Sequence, residues 1–402
     1  MPRTSLFDPT DPAFLENPYP VYARLRREDP WHCSPFGFVV ASRFRDIDTV
    51  LRDPRFGKSF KGPKANGRDP DIGNMAIFRS IGQWMLESNP PDHTRRRACF
   101  TKFFTAKRVE AMRPRIQTIV DELLDDLAPR GEMDVVADFA QLLPFRVITD
   151  MIGVPRQDQP ELFKIARFIG RLSDPVPLDR AELAQIDADF RRVAGYFHVL
   201  IDMRRRQPGD DLVSHIAATA LEQQLSIDEM VGNLVLLFVA GHETSTNLIG
   251  NALIALARNP DQWNLLRSEP GLMKRAVIEC LRYDNSIQIA SRTAKADVMF
   301  GDIQIAEGQD VLLLLGSANR DPAMYAEPDR LDVTRSGDHM LSFGGGIHFC
   351  LGAQLSRMEV ECALDALLHR LPDFRLNDPL KPVWRPSVVF RGPAQLPAAW
   401  TL

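Results

Sequence analysis

The stretch Ser342–Glu359, SFGGGIHFCLGAQLSRME, constrains this chain more than any other. Gly344, Gly345 and Gly346 release the backbone from the limits a Cβ imposes. His348 and Cys350 follow, two residues apart, and after Gly352 the run Ala-Gln-Leu-Ser-Arg-Met-Glu favours helix. A helix is therefore expected to start just past the cysteine, placing its sulfur at the positive end of a helix dipole. That position, with loop amides nearby, favours a thiolate, the form that ligates metals. A cysteine is more often a small buried apolar residue, but such a residue needs no glycine cluster beside it.

The other four cysteines, Cys33, Cys99, Cys280 and Cys362, are scattered and form no CxxC pair. That pattern is neither a disulfide framework nor a zinc site, and it predicts a reducing compartment. One thiolate without a second soft ligand suits an iron whose other positions are filled by a macrocycle. The 402 residues are 45% hydrophobic and 25% charged, enough for a large core. The net charge of −4 gives no nucleic-acid footprint. The short runs Arg95–Arg97 and Arg204–Arg206 read by default as solvated helix faces. No apolar signal core opens the chain, and its apolar runs near 234–241 and 311–315 are too short to span a bilayer. A cytoplasmic protein without stable membrane insertion is expected.

Prolines punctuate the first ninety residues, with "VYARLRRED" read as helix and "FGFVVAS" at 36–42 as strand. Residues 57–80 read as a long loop with a helical fragment. From about 92 to 280 apolar residues recur at helical spacing, as in Ile116, Val120, Leu123, Leu124 and Leu127. Alternation returns at 297–315, and "VVF" at 388–390 reads as a short strand. The class is mainly α with small β-sheets, and no linker divides the chain, so 1–402 is expected to be a single domain.

Four further stretches carry chemistry. "FVAGHETST", 238–246, sets a glycine and an acid inside an apolar helix, which breaks local preference. Glu279 and Arg282 lie three apart and share a helix face. "NPPDHTRRR" places His93 and Arg97 four apart, with Asp92 as a candidate helix cap. "SANRDPAMYAEPDRLDVTR" supplies Asn319, Arg320, Asp321, Pro322 and Pro328, together with Arg330 and Arg335.

Phe343, Gly346, His348, Cys350 and Gly352 reproduce F-x-x-G-x-[HR]-x-C-x-G, and on these residues the chain resembles the cytochrome P-450 family of soluble bacterial type. The other stretches fall in the family's order. The resemblance implies a cytochrome P-450 fold with heme b buried between the distal helix and the cysteine loop. It implies Cys350 as proximal iron ligand and Phe343, Gly344, His348 and Gly352 as heme contacts. His93, Arg97 and Arg292 would hold the heme carboxylates with His348, for which guanidinium forks suit well. Ala240 and Gly241 would make room for oxygen, and Glu243 with Thr244 would relay protons. Glu279 and Arg282 would be structural, completed by either Arg330 or Arg335. Ser286 follows Asn285 where many members carry proline, so the 286–290 backbone is expected to differ.

The implied activity is monooxygenation: one atom of O2 enters a bound organic substrate by hydroxylation or epoxidation. Electrons would come from a ferredoxin or similar donor with an NAD(P)H reductase, docking near the cysteine, with Arg108, Arg113 and Arg115 as candidate contacts. A monomer active in secondary metabolism is expected. Ile77, Phe78, Ile81, Trp84, Met85, Leu236, Val239, Ile287, Ile289, Val389 and Phe390 are candidate pocket residues, implying a largely hydrophobic substrate. The alternatives are a peroxide-driven heme-thiolate peroxygenase, which would not need Glu243 and Thr244, and a non-catalytic heme-binding sensor or ligand sequesterer.

Overall fold

A computed structural model describes residues 6–35, 37–59, 72–170, 178–300, 303–337 and 339–402, with 72 and 166–170 as backbone alone. Residues 60–71 of the expected long loop lie outside the described residues. Helix dominates, with small sheets toward the two ends of the chain. Two compact units emerge. One comprises Met1–Gly57, Ile116–Leu143 and Thr244–Leu402, and the other Lys58–Arg115 and Pro144–Glu243. The helices Arg113–Leu127, Leu142–Ile152 and Ile227–Ala257 have residues in both.

The first unit holds the sheets. Its five-stranded sheet runs Trp31–Cys33, Val39–Ala41, Asp310–Leu314, Ile289–Ala294, Phe56–Gly57 in spatial order. Val39–Ala41 and Asp310–Leu314 are parallel, and the other pairings are antiparallel. Apolar side chains of this sheet pack with Phe7, Phe14, Tyr22, Leu25 and Ile47 in one core. Each such side chain, fully buried, contributes roughly 1.5–3 kcal/mol. The segment 388–390 is not a strand. Phe390 makes one isolated bridge to Ile287, and the tail strands lie at Val383–Trp384, Pro393–Gln395 and Pro397–Ala399. The chain bends at Pro386, Val388 and Val389, and among the described residues the Gln288 N–H to Val389 O and Arg391 N–H to Ser286 O bonds tie it to the 286–290 segment.

The second unit is mainly helical, with Arg180–Arg206 as its longest complete helix. Asp179 and Glu182 close a capping box at that helix's start. Phe145, Phe197 and Phe238 meet edge to face, with centroids 5.7 and 5.8 Å apart around Phe238. Asp92 is in the first turn of helix Asp92–Thr101 and does not cap it; Pro91 occupies the cap position and Asp92 pairs with Arg95 at 3.1 Å. Among the described residues no helix is long and apolar enough to cross a membrane.

The distal helix, Ile227–Ala257, organises the segment before it in sequence. The carboxamide of Asn233, fully buried, accepts from the Met85 N–H at 2.7 Å and donates to Gln83 O at 3.1 Å and Glu229 O at 2.7 Å. The bonds to Met85 and Gln83 hang the 83–85 chain on the helix. Asn233→Leu removes all three and leaves buried partners unsatisfied, so unfolding free energy should fall by about 3 kcal/mol, at about 1 kcal/mol per bond. Urea titration checks this; an unchanged midpoint would show that the 83–85 segment is held by other contacts.

Candidate functional site

The cysteine loop is built on two left-handed glycines, Gly344 at φ +69° and Gly346 at φ +64°. A short 3-10 turn, Gly346–His348, then lets the Cys350 N–H reach Phe343 O at 3.0 Å. A Cβ at Gly346 would lie 2.2 Å from Leu51 O, so the loop presses its backbone onto helix Phe44–Arg52. Part of the glycine requirement therefore comes from this protein contact. A Cβ at Gly344 would meet nothing within 4 Å, leaving open space on that side. Cys350 is exposed, and helix Ala353–Arg370 starts three residues later with Gly352 at its cap position. Phe343 and Phe349 flank the loop with centroids 6.3 Å apart, and the Arg357 guanidinium lies 5.3 Å above the Phe343 ring.

Glu279 and Arg282 anchor what precedes this loop. They form a bidentate pair, both bonds 2.8 Å, with side chains 2% and 3% exposed. Arg335 joins Glu279 at 3.2 Å, whereas Arg330 pairs with the exposed Glu327, so Arg335 completes the cluster. Arg282 also donates to Asn319 O and Pro328 O at 3.0 and 2.7 Å and to Arg330 O at 3.1 Å. Asn319 in turn accepts from the Leu341 N–H and donates to Ser342 Oγ, both at 2.8 Å. An unbroken set of bonds thus leads from the buried ion pair to the first residues of the cysteine loop. Arg292, on strand Ile289–Ala294, is buried in the same unit.

On the distal helix, residues 234–238 and 245–256 are largely buried, while Val239, Gly241, Glu243 and Thr244 are half-buried and Ala240 is exposed. The expected oxygen-side residues therefore form one accessible window in a buried helix. Gly241 has a packing reason as well: a Cβ there would sit 2.8 Å from Ile148 Cγ1. His242 turns away, its Nδ1 3.1 Å from Phe238 O. In the second unit, His93 is buried and Arg97 half-buried on helix Asp92–Thr101. The run Arg95–Arg97 is not a solvated face, because Arg96 is buried and both Arg95 and Arg96 bond Glu229.

The pocket candidates divide. Ile77, Ile81, Met85 and Leu236 are buried, and Phe78, Trp84 and Val239 half-buried, in the second unit. Ile289 lies inside the sheet core, with Ile287 and Val389 packed against it, and Phe390 is bridged to Ile287. The docking candidates are ion-paired: Arg108 to Asp210 at 3.2 Å, Arg113 to Glu110 at 2.8 Å and Arg115 to Asp150 at 2.5 Å.

The donor set fits heme. Among the described residues no three His, Cys, Asp or Glu side chains cluster to hold a metal by themselves. The exposed Cys350 thiol beside open space at Gly344, in the unit that also carries the buried Arg292, suits an iron macrocycle bearing carboxylates.

Glu359 is absent from the sequence-based set, since an acid in a helix normally faces water. It is fully buried on helix Ala353–Arg370, and neither carboxyl oxygen has a hydrogen-bond partner of normal geometry. Burial pushes its carboxyl up to about 8, only partly offset by the Ser245 hydroxyl, which itself donates to Ser356 Oγ at 3.0 Å. The folded chain thus holds a proton that the unfolded chain releases near its ordinary value of 4.5. This contribution to stability is full below that value and is lost as pH rises through about 8. Glu359→Gln should therefore gain on the native chain between pH 5 and 8, by on the order of a few kcal/mol, and level off above. Denaturant titrations at four pH values check it; a pH-independent difference would show that Glu359 does not titrate there.

Comparison with known proteins agrees with this geometry. The family model described as Cytochrome P450 matches residues 56–386. The chain is 38% identical to cytochrome P450 monooxygenase PikC of Streptomyces venezuelae, over 96% of this chain and 92% of that one. It superposes on the crystal structure of CalO2 with a TM-score of 0.92 at 35% identity, covering 99% of both chains. It superposes on P450BioI, solved in complex with hexadec-9Z-enoic acid ligated acyl carrier protein, with a TM-score of 0.89 at 34% identity, covering 97% and 99%. With a loop that offers one thiol and a fold shared along its length, the chain belongs to the cytochrome P450 family and is a heme-dependent monooxygenase of small organic substrates, supplied with electrons by redox partners.

Proposed function

We propose that this chain, acting as one domain over 1–402, holds heme b through Cys350 and oxidises a largely hydrophobic substrate by hydroxylation or epoxidation. The observation that carries the reading is the cysteine loop: an exposed thiol ahead of a helix start, held by two left-handed glycines. Heme, when bound, supplies the activation of O2. Phe343, Gly344 and Gly352 would contact it, while His93, Arg97, Arg292 and His348 would hold its two carboxylates. Glu243 draws protons from solvent and Thr244 passes them inward, because a hydroxyl both accepts and donates. The half-buried state of both side chains, in an otherwise buried helix, supports that division of labour. Ala240 and Gly241 keep the helix surface low beside them.

The substrate class follows from the apolar candidates of the 77–85 segment and the distal helix, Leu236 and Val239. A long acyl chain on a carrier protein, as P450BioI binds, belongs to that class. A ferredoxin with an NAD(P)H reductase delivers electrons at the face of Cys350, where Ile347 and Phe349 are exposed. Cytoplasmic location, a monomeric state and a place in secondary metabolism complete the reading.

The reduced, carbon monoxide-bound absorption spectrum tests the ligand. The red-shifted band that names the family is expected for the native chain and should be lost in Cys350→Ala. A normal heme spectrum unchanged by that substitution would overturn the assignment. Thr244→Ala tests the relay: product per NAD(P)H should drop roughly tenfold or more, with the difference appearing as peroxide. An unchanged yield would remove Thr244 from proton delivery.

A further inference from the structure

We propose that Glu229, in the first turn of the distal helix, is the positioning residue that aims His93 and Arg97. This rests on the reading above that His93 and Arg97 hold heme carboxylates. One carboxylate makes bonds to two adjacent arginines. Glu229 Oε1 accepts from Arg95 Nη2 at 2.5 Å and from Arg96 Nε at 2.9 Å, and Oε2 accepts from Arg95 Nη1 at 3.0 Å. The same group closes the distal helix: Oε2 accepts the Ser226 N–H at 2.9 Å, and the Glu229 N–H donates to Ser226 Oγ at 3.2 Å. Arg95 adds a bond to Gln224 O at 2.8 Å, just ahead of that helix, and Arg96 one to Ser88 Oγ.

The geometry explains why this is more than adhesion. Residues 95, 96 and 97 project at about 100° intervals around helix Asp92–Thr101. A carboxylate seated between the first two fixes both the rotation of that helix and its level along the distal helix. The direction of Arg97, and of His93 one turn before it on the same face, follows from that rotation. Mere packing could be done by apolar side chains of similar volume, often at no loss of stability. Fixed rotation needs directional bonds, and the arginine pair supplies them. The charge is secure at any working pH: burial alone would raise the Glu229 carboxyl, but bonds from Arg95, Ser226 and Arg96 bring it down to about 2.

The test is the rate of heme transfer from the holoprotein to excess apomyoglobin, with unfolding midpoints measured alongside. Glu229→Gln and Arg97→Ala should each speed heme loss at least about fivefold, the scale of losing a charge-assisted bond. The double variant should lose heme at less than the product of the two single accelerations, because Glu229 acts in part through Arg97 and only its effect on His93 remains once Arg97 is gone. Asp179→Ala, which removes a helix cap in the same unit, should lower the midpoint without speeding heme loss. If Glu229→Gln fails to fold, Arg95→Gln, at a side chain 27% exposed, takes its place in the cycle. Heme loss accelerated by Arg97→Ala but not by Glu229→Gln, or rates that multiply in the double variant, would overturn the positioning role while leaving Arg97 its contact. No acceleration in Arg97→Ala would overturn the carboxylate-holding reading itself, and the inference with it.

Discussion

The buried pair Glu279–Arg282 is the constraint from which the cysteine side of this protein is built. Breaking such a pair costs about 3–5 kcal/mol, because it strands an uncompensated charge. Here the cost would extend beyond the two residues. Arg282 directs donors to the carbonyls of Asn319, Pro328 and Arg330, and Asn319 carries the order on to Leu341 and Ser342. The stretch from Asn319 to Ser342, which has little regular structure, is thereby tied at several points to one buried pair. The loop that presents Cys350 can then spend its freedom on two left-handed glycines without losing its place.

The distal helix works under the opposite constraint. It is buried over most of its length, and every polar group on it needs a partner or a purpose. Asn233 and Glu229 have partners near its start, where they order the chain around Gln83, Met85, Arg95 and Arg96. Glu243 and Thr244 stand in the more accessible stretch near its middle. Ser245 faces helix Ala353–Arg370, where Glu359 is kept neutral by burial. The helix thus separates anchoring near its start from exposure near its middle along its length, and Ser245 beyond them meets the helix that carries Glu359.

What the sequence made legible follows this division. The cysteine loop, the E-x-x-R pair and the A-G-x-E-T run are local patterns, dense enough to be read without coordinates. Helix spacing from 92 to 280 was equally plain, because apolar periodicity is a local signal. The choice of Arg335 over Arg330 was not legible. Both stand near one another in a loop, and only the folded meander decides which guanidinium reaches Glu279. The strand expected at 388–390 failed for a related reason: β-propensity is set by neighbours, and this stretch finds a partner for a single bridge. Glu359 and Arg96 were hidden by composition itself, since a charged residue on a helix is by default solvated.

Those two residues show how buried charge is made tolerable in different ways. Arg96 keeps its charge because Glu229 meets it with a carboxylate already fixed by a helix cap. Glu359 has no cation beside it and gives up its charge instead. The first solution yields direction, since an ion pair with several bonds fixes how two helices face each other. The second yields a titratable proton near neutral pH, which a paired carboxylate held at about 2 cannot supply. A single substitution that exchanged the two environments would lose both properties, because a neutral acid could not orient two guanidiniums and an ionised one could not remain unpaired in the core.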